Sequence, residues 1–98
     1  MEKFNICVLY KAKSGKAREA FVKELTELGV LKAIRAENGC LKYEYFNSFD
    51  DETSLVLYEE WLDKSCQEEH MKQPHMEIAM QVKAKYIDRV EIKQIKIL

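Results

Sequence analysis

Phe4-Asn5-Ile6-Cys7-Val8-Leu9-Tyr10-Lys11-Ala12 is the stretch on which the fold turns. Side chains of a strand alternate between the two faces of a sheet. Phe4, Ile6, Val8 and Tyr10 therefore point one way, and Cys7 and Leu9 the other. An antiparallel sheet that faces water on one side shows polar residues there. This run is apolar on both sides. It predicts a strand with something packed on each face.

The next residues supply the first of those layers. Ser14-Gly15 ends the strand, and the Ser14 hydroxyl can cap a helix by accepting an orphan N–H. From Lys16 to Ala36, Ala17, Phe21, Leu25, Leu28 and Leu31 recur at three- or four-residue steps, the spacing of an amphipathic helix. Gly29 costs about 1 kcal/mol against alanine inside a helix and should loosen it. Asn38-Gly39 is the stop signal. Cys40 to Phe46 and Thr53 to Trp61 read as two further strands, joined through Asp50-Asp51-Glu52 as a hairpin. Asp63 caps a short helix reaching about Lys72, and Pro74 opens another to Tyr86 with Ile78, Ala79, Val82 and Tyr86 facing inward. Asp88 to Leu98 is a last strand.

The order is β-α-β-β-α-β with the second helical region split, the ferredoxin-like α+β pattern of an antiparallel sheet with helices on one face. The other face remains apolar in Cys7, Leu9, Val56, Tyr58, Ile95 and Ile97. An exposed patch of that size invites association. A second copy packed sheet to sheet in a two-fold dimer covers it economically. The register that keeps the helix side apolar places Leu41, Tyr43 and Tyr45 beside Leu55, Leu57, Glu59 and Trp61. An apolar cleft with a few polar groups then lies between sheet and helices, the usual character of a small-molecule site.

Bulk properties narrow the class. The chain has 98 residues, enough for one domain spanning 1–98. Sixteen basic against 17 acidic residues leave a net charge of −1, without the basic excess a nucleic-acid partner requires. No run approaches the ~20 apolar residues of a membrane span. The opening residues lack the basic and apolar regions of a signal peptide. Cys7, Cys40 and Cys66 are odd in number and far apart, which fits reduced thiols and a cytoplasmic location.

Few side chains are suited to chemistry. His70 and His75 are the only two histidines, and an imidazole is the side chain that changes charge near neutral pH. His75 is expected on the inner stripe of the helix that Pro74 opens, directed at the sheet, and His70 near the end of the helix before it, at the rim of the cleft. Trp61 ends its strand with Glu59 on the same side. Each has a plain structural alternative: a core tryptophan, tyrosines filling strands, hydrogen-bonded histidines, and Glu59 paired with Lys42, Lys11 or Arg89. Arg35 and Glu37 read as solvated edges. Cys66, His70, His75 and Glu69 hold potential metal ligands, but their spacing matches no usual zinc pattern, so no metal is expected. The three glycines build no phosphate-binding loop, and no flavin or nicotinamide motif exists.

Three pieces taken together carry a resemblance. Glu37-Asn38-Gly39-Cys40-Leu41-Lys42-Tyr43, then Tyr58-Glu59-Glu60-Trp61, then His70 and Pro74-His75 resemble the antibiotic biosynthesis monooxygenase family. The resemblance implies a dimeric α+β barrel with a pocket in each subunit. It implies oxidation of a small quinol-like or enolisable substrate by O₂ without metal or flavin, and hence no cofactor. Some relatives are isomerases acting through an enediolate on a phosphorylated, ketose-like compound. Haem-degrading relatives use an Asn, a Trp and a His, to which Asn5, Trp61 and His70 would correspond. A non-catalytic ligand-binding dimer is the remaining alternative. On the oxygenase reading His70, His75 and Trp61 are catalytic, and Tyr43, Tyr45, Glu59 and Asn5 bind the substrate. The chemistry is coherent. A neutral imidazole deprotonates the substrate, a tyrosine hydroxyl or the indole N–H steadies the anion, and the anion passes one electron to O₂.

Overall fold

The computed structural model describes residues 2–98. Eight elements follow in order: β1 (Phe4–Ala12), α1 (Gly15–Glu27), α2 (Val30–Arg35), β2 (Cys40–Asn47), β3 (Ser54–Trp61), α3 (Lys64–His70), α4 (His75–Tyr86) and β4 (Ile87–Ile95). The strands form one antiparallel sheet in the order β2-β3-β1-β4, the ferredoxin-like arrangement. β1 lies inside the sheet, as its two apolar faces require.

Helices cover one face. Phe21 and Leu25 of α1, Val30, Leu31 and Ile34 of α2 and Val82 of α4 pack with Ile6, Val8, Leu55, Leu57 and Trp61. Each such side chain contributes about 1.5–3 kcal/mol on full burial. Ser14 and Asp63 cap as expected: Ser14 Oγ accepts from Ala17 N at 3.0 Å and Asp63 Oδ1 from Cys66 N at 2.9 Å. The first helical stretch does more than loosen at Gly29. That residue adopts φ +76°, ends α1 and restarts the chain as α2. A left-handed residue closes one helix and redirects the next.

Three expectations need correction. A bulge between Cys40 and Lys42 sets Cys40 opposite Trp61, so Leu41 leaves the inner face and is 47% exposed. The extra residue of a bulge re-aims the side chains next to it. Ile78 also turns outward, and Met76, Ala79, Val82 and Tyr86 form the packed stripe of α4. The last strand ends at Ile95, leaving Ile97 and Leu98 exposed.

The helix-free face carries Cys7, Leu9, Val56, Tyr58, Phe46 and Ile95, flanked by Lys11, Glu60, Glu91 and Lys93. β4 is an edge strand whose side chains are almost all exposed beyond Ile87. Among the described residues, no helix is long and apolar enough to cross a membrane.

Candidate active site

The turn after α2 places a carboxylate where two later helices meet. Glu37 N donates to Ile34 O, and Glu37 O accepts from Cys40 N, which fixes the turn against the start of β2. Gly39 follows at φ +80°, and its carbonyl accepts from Leu62 N at 2.8 Å. Gly39 lies so close to α3 that a Cβ there would come 2.4 Å from Cys66 Sγ. Only glycine satisfies both the left-handed backbone and that approach. Across from it, α3 ends and α4 begins in a tight corner. Gln73 N donates to His70 O at 3.2 Å, and Met76 N to Gln73 O at 3.0 Å. The corner brings His70 and His75 to the same partner.

That partner is Glu37. His70 Nδ1 lies 3.0 Å from both Glu37 oxygens, and His75 Nε2 lies 2.6 Å from Oε2. An ionised carboxylate only accepts hydrogen bonds. The facing nitrogens are therefore the protonated ones, and neutral His70 keeps its proton on Nδ1. Its Nε2 has no hydrogen-bond partner among the described residues.

The two histidines differ in burial, in the sense opposite to expectation. His70, placed at the rim from sequence, has a side chain only 1% exposed; His75, placed inward, is 21% exposed. His75 stands at the exposed start of α4, while α3 turns His70 onto the sheet. The His70 ring packs on Trp61, with centroids 4.7 Å apart, and on Tyr43 at 5.6 Å. Burial pulls the His70 pKa below the ordinary 6.5 despite the opposing pull of Glu37. The imidazole is neutral at pH 7 in consequence.

Trp61 is fully buried, and its Nε1 donates to Glu59 Oε1 at 2.9 Å. Glu59 is itself 4% exposed. Desolvation pushes its carboxyl up to about 7, against the indole N–H, with repulsion from Glu37 adding to the rise. Tyr43 pairs with Glu59 across the β2–β3 ladder, and Tyr45 with Leu57. The Tyr45 ring lies 6.1 Å from both Tyr43 and Tyr10, and Phe21 covers Tyr45 edge-on at 5.8 Å. Burial raises all three phenol pKa values, so the hydroxyls stay protonated.

His70, His75, Trp61, Glu59, Tyr43 and Tyr45 thus form one continuous cluster. Asn5 does not join it. It pairs with Glu60 and Ile95 on the helix-free face, where its buried Oδ1 has no partner among the described residues. The open cleft expected between sheet and helices is filled by the aromatic rings. A groove of about 330 Å³ instead reaches His70 from outside, lined by Glu37, Asn38, Ser65, Cys66, Glu69 and Gln73.

Glu37, read from sequence as a solvated edge, is the residue that organises the site. Its side chain is 10% exposed. Arg35 is not a free edge either: its Nε donates to Tyr43 O at 2.9 Å and ties α2 to β2. The one sequence signal for Glu37 is its place at the head of the Glu37–Tyr43 run, since its partners come 33 and 38 residues later. Among the described residues, no three His, Cys, Asp or Glu side chains are arranged to hold a metal ion.

A ferredoxin-like sheet with a buried histidine, tryptophan and tyrosines at one end defines the class of small α+β domains to which the comparisons also lead. The antibiotic biosynthesis monooxygenase profile matches residues 4–82, and the chain belongs to that family. Solved structures agree over the whole length. A Pseudomonas aeruginosa protein, PA3566, is 26% identical with a TM-score of 0.83, covering 100% of this chain and 96% of its own. A Nitrosomonas europaea protein, provisionally described as an antibiotic biosynthesis monooxygenase, is 26% identical with a TM-score of 0.82, covering 98% and 90%. A conserved Methanosarcina mazei protein shares the fold at 21% identity and a TM-score of 0.84, covering 98% and 93%. No curated protein sequence matches the chain.

Proposed function

We propose that this protein is a cofactor-independent monooxygenase that deprotonates a small quinol-like or enolisable substrate and lets the anion react with O₂. One observation carries the reading: a buried, neutral His70 held by Glu37 in a single tautomer against Trp61. The substrate enters by the groove over Glu37, His70 and Gln73. At about 330 Å³ the groove is at the small end of the range for ligand pockets, ~300–1,000 Å³.

His70 Nε2 takes the substrate proton, and the ionised Glu37 stabilises the imidazolium that forms. A carboxylate behind a histidine serves the same two purposes, tautomer and charge, in hydrolytic triads. His75, on the other side of Glu37 and partly exposed, connects the carboxylate to solvent and returns the proton to water. Trp61 and Tyr43 pack on the His70 ring and hold the base in place. The electron-rich anion then gives one electron to O₂, the radical pair collapses to a peroxide anion, that anion takes a proton to become a hydroperoxide, and loss of water leaves one oxygen atom in the product, with no metal, flavin or nicotinamide engaged. Asn5, on the other face, has no part in this site. The working unit is a homodimer joined through the helix-free face, where Leu9, Val56 and Tyr58 would otherwise face water.

The test is O₂ uptake by metal-stripped protein presented with hydroquinones, anthrones and enolisable ketoses. Uptake that needs His70 supports the proposal. Turnover without uptake would replace it with isomerisation through the same enolate, and binding without turnover would leave a ligand-binding domain.

A further inference from the structure

Five side chains form an unbroken line from the site to the far side of the helix-covered layer. Trp61 packs on His70 at 4.7 Å, His70 on Tyr43 at 5.6 Å, Tyr43 on Tyr45 at 6.1 Å and Tyr45 on Tyr10 at 6.1 Å. Trp61 and the three tyrosines are the side chains of this core that give up an electron most readily. Nothing in a proton-transfer mechanism requires Tyr45 or Tyr10. Both are polar groups kept in an apolar layer, where phenylalanine would pack as well without a hydroxyl to satisfy.

We infer that Trp61, Tyr43, Tyr45 and Tyr10, with His70 bridging the first two, conduct oxidising equivalents away from the site to the surface. The use of such a path rests on the oxygenase reading; its existence does not. An oxygenase that lets a substrate anion meet O₂ risks peroxyl or oxyl radicals that escape collapse. Such a radical beside His70 takes one electron from the Trp61 indole, which packs on that ring at 4.7 Å, and one proton from the site, and leaves as a hydroperoxide or an alcohol. The Trp61 radical cation is refilled by one electron from Tyr43. Tyr43 must shed its phenol proton at the same moment, and the Glu59 carboxylate lies directly across the ladder from it. Tyr45 then passes one electron and one proton to Tyr43, and Tyr10 does the same for Tyr45. Tyr10 is partly exposed and lies opposite Val90 on edge strand β4, which is 40% exposed. A thiol or ascorbate in solution restores it with one electron and one proton.

The geometry explains why the tyrosines need each other. Burial holds every phenol above its ordinary pKa, so none can release its proton to water. Oxidation is feasible only where a neighbouring acceptor takes the proton. The neighbours along the line are placed to serve: Glu59 stands opposite Tyr43 on the ladder, and the Tyr43, Tyr45 and Tyr10 rings follow one another at 6.1 Å. Tyr58 and Tyr86 stand outside the line. Their hydroxyls donate to Glu60 and Glu24, away from Trp61.

Trp61 is the only tryptophan in the chain, so the experiment needs no substrate. Pulsed ultraviolet photoionisation of the intact protein, with an electron scavenger, creates the hole at Trp61. Transient absorption then follows the tryptophanyl and tyrosyl radicals. The expected result is fast loss of the tryptophanyl signal with matching growth of the tyrosyl signal. In Tyr43→Phe the tryptophanyl radical should persist many-fold longer. In Tyr45→Phe the hole should stop at Tyr43, and its reduction by added ascorbate should slow several-fold. Tyr58→Phe and Tyr86→Phe should change neither step. Circular dichroism checks that each variant is folded, and if Tyr43→Phe is not, the Tyr45→Phe arm decides. Tryptophanyl decay unchanged by Tyr43→Phe, or ascorbate reduction unchanged by Tyr45→Phe, overturns the inference. Sensitivity to Tyr58→Phe or Tyr86→Phe overturns it too. Failure of O₂ uptake in the substrate panel would sink the oxygenase reading and leave these radical kinetics untouched.

Discussion

Replacing Glu59 by Gln should make the protein more stable at alkaline pH and leave its stability near pH 4.5 almost unchanged. Glu59 is 4% exposed, and its carboxyl is pushed from the ordinary 4.5 up to about 7. A carboxyl with a raised pKa holds its proton more tightly when folded. Its contribution to stability is then full below about pH 4.5 and is lost as pH climbs through about 7. At about 1.4 kcal/mol per pH unit, that interval amounts to about 3 kcal/mol. Glutamine removes the titration and still offers Trp61 Nε1 an amide oxygen to donate to. Its amide N–H₂ needs new partners, which costs part of the gain. The assay is urea unfolding of wild type and Glu59→Gln from about pH 4.5 to 8.5, at one protein concentration so that association does not distort the comparison. The gap should open in favour of the variant between pH 5 and 8, by about 2–3 kcal/mol. A wild type that gains on the variant as pH rises would refute the reasoning, because ionised Glu59 would then be the better-accommodated form.

The remaining expectations concern the dyad, a glycine and the sheet face. His70→Ala should lower turnover roughly 10²–10⁴-fold with the fold intact, and His75→Ala should cost less, judged by steady-state rates and circular dichroism. Wild-type turnover should rise with pH through the acid range and level off before about pH 7, because the His70 pKa is pulled below 6.5. Glu37→Gln should lower the plateau and move that acid limb to still lower pH, since the carboxylate favours the imidazolium; an unmoved limb in the pH–rate profile would argue against the pairing. Gly39→Ala should destabilise by more than about 2 kcal/mol in urea unfolding, from its left-handed backbone plus the collision with Cys66. Gly29→Ala has the same backbone cost of about 1–2 kcal/mol but meets nothing within 4 Å among the described residues, and should be milder. Leu9→Asp should shift sedimentation of a dimeric wild type toward monomer or toward aggregates, and a dimer that tolerates it would move the interface off the helix-free face.

The fold was legible because its signals are local. Two-residue alternation in β1, the three- and four-residue steps of α1, the caps at Ser14 and Asp63 and the turn signals at Asn38-Gly39 each depend on a few adjacent residues. The candidate site was legible in its residue types and less so in its arrangement. Strand alternation and hairpin pairing bring Trp61, Glu59 and Tyr43 to one end of the sheet, and the corner between α3 and α4 adds the two histidines. The burial of Glu37 is not encoded near Glu37. It arises when the corner between α3 and α4 closes over the turn after α2, a non-local event that hydropathy does not register. The same is true of the bulge that expels Leu41, since one unpaired residue shifts everything toward the strand end. Asn5 shows the limit of matching residue types to a family pattern. Its position in β1 fixes its face by alternation, and that face is the wrong one for Trp61.

One device in the hairpin bears on how this chain can drift over evolutionary time. Arg18 Nη1 lies within hydrogen-bond reach of the carbonyls of Ser48, Asp51 and Ser54, at 3.3, 3.0 and 3.1 Å. A guanidinium that reads main-chain oxygens is indifferent to the side chains those residues carry. Phe49 is fully exposed, and among the described residues the Asp50 carboxylate beside it has no hydrogen-bond partner. Asp51, by contrast, joins Lys11, Thr53 and Ser54 through its carboxylate. Relatives should accordingly vary freely at 49 and 50 while keeping an arginine at 18 and an aspartate at 51. Lysine at 18, a single point charge without the planar fork, would not be an equal substitute.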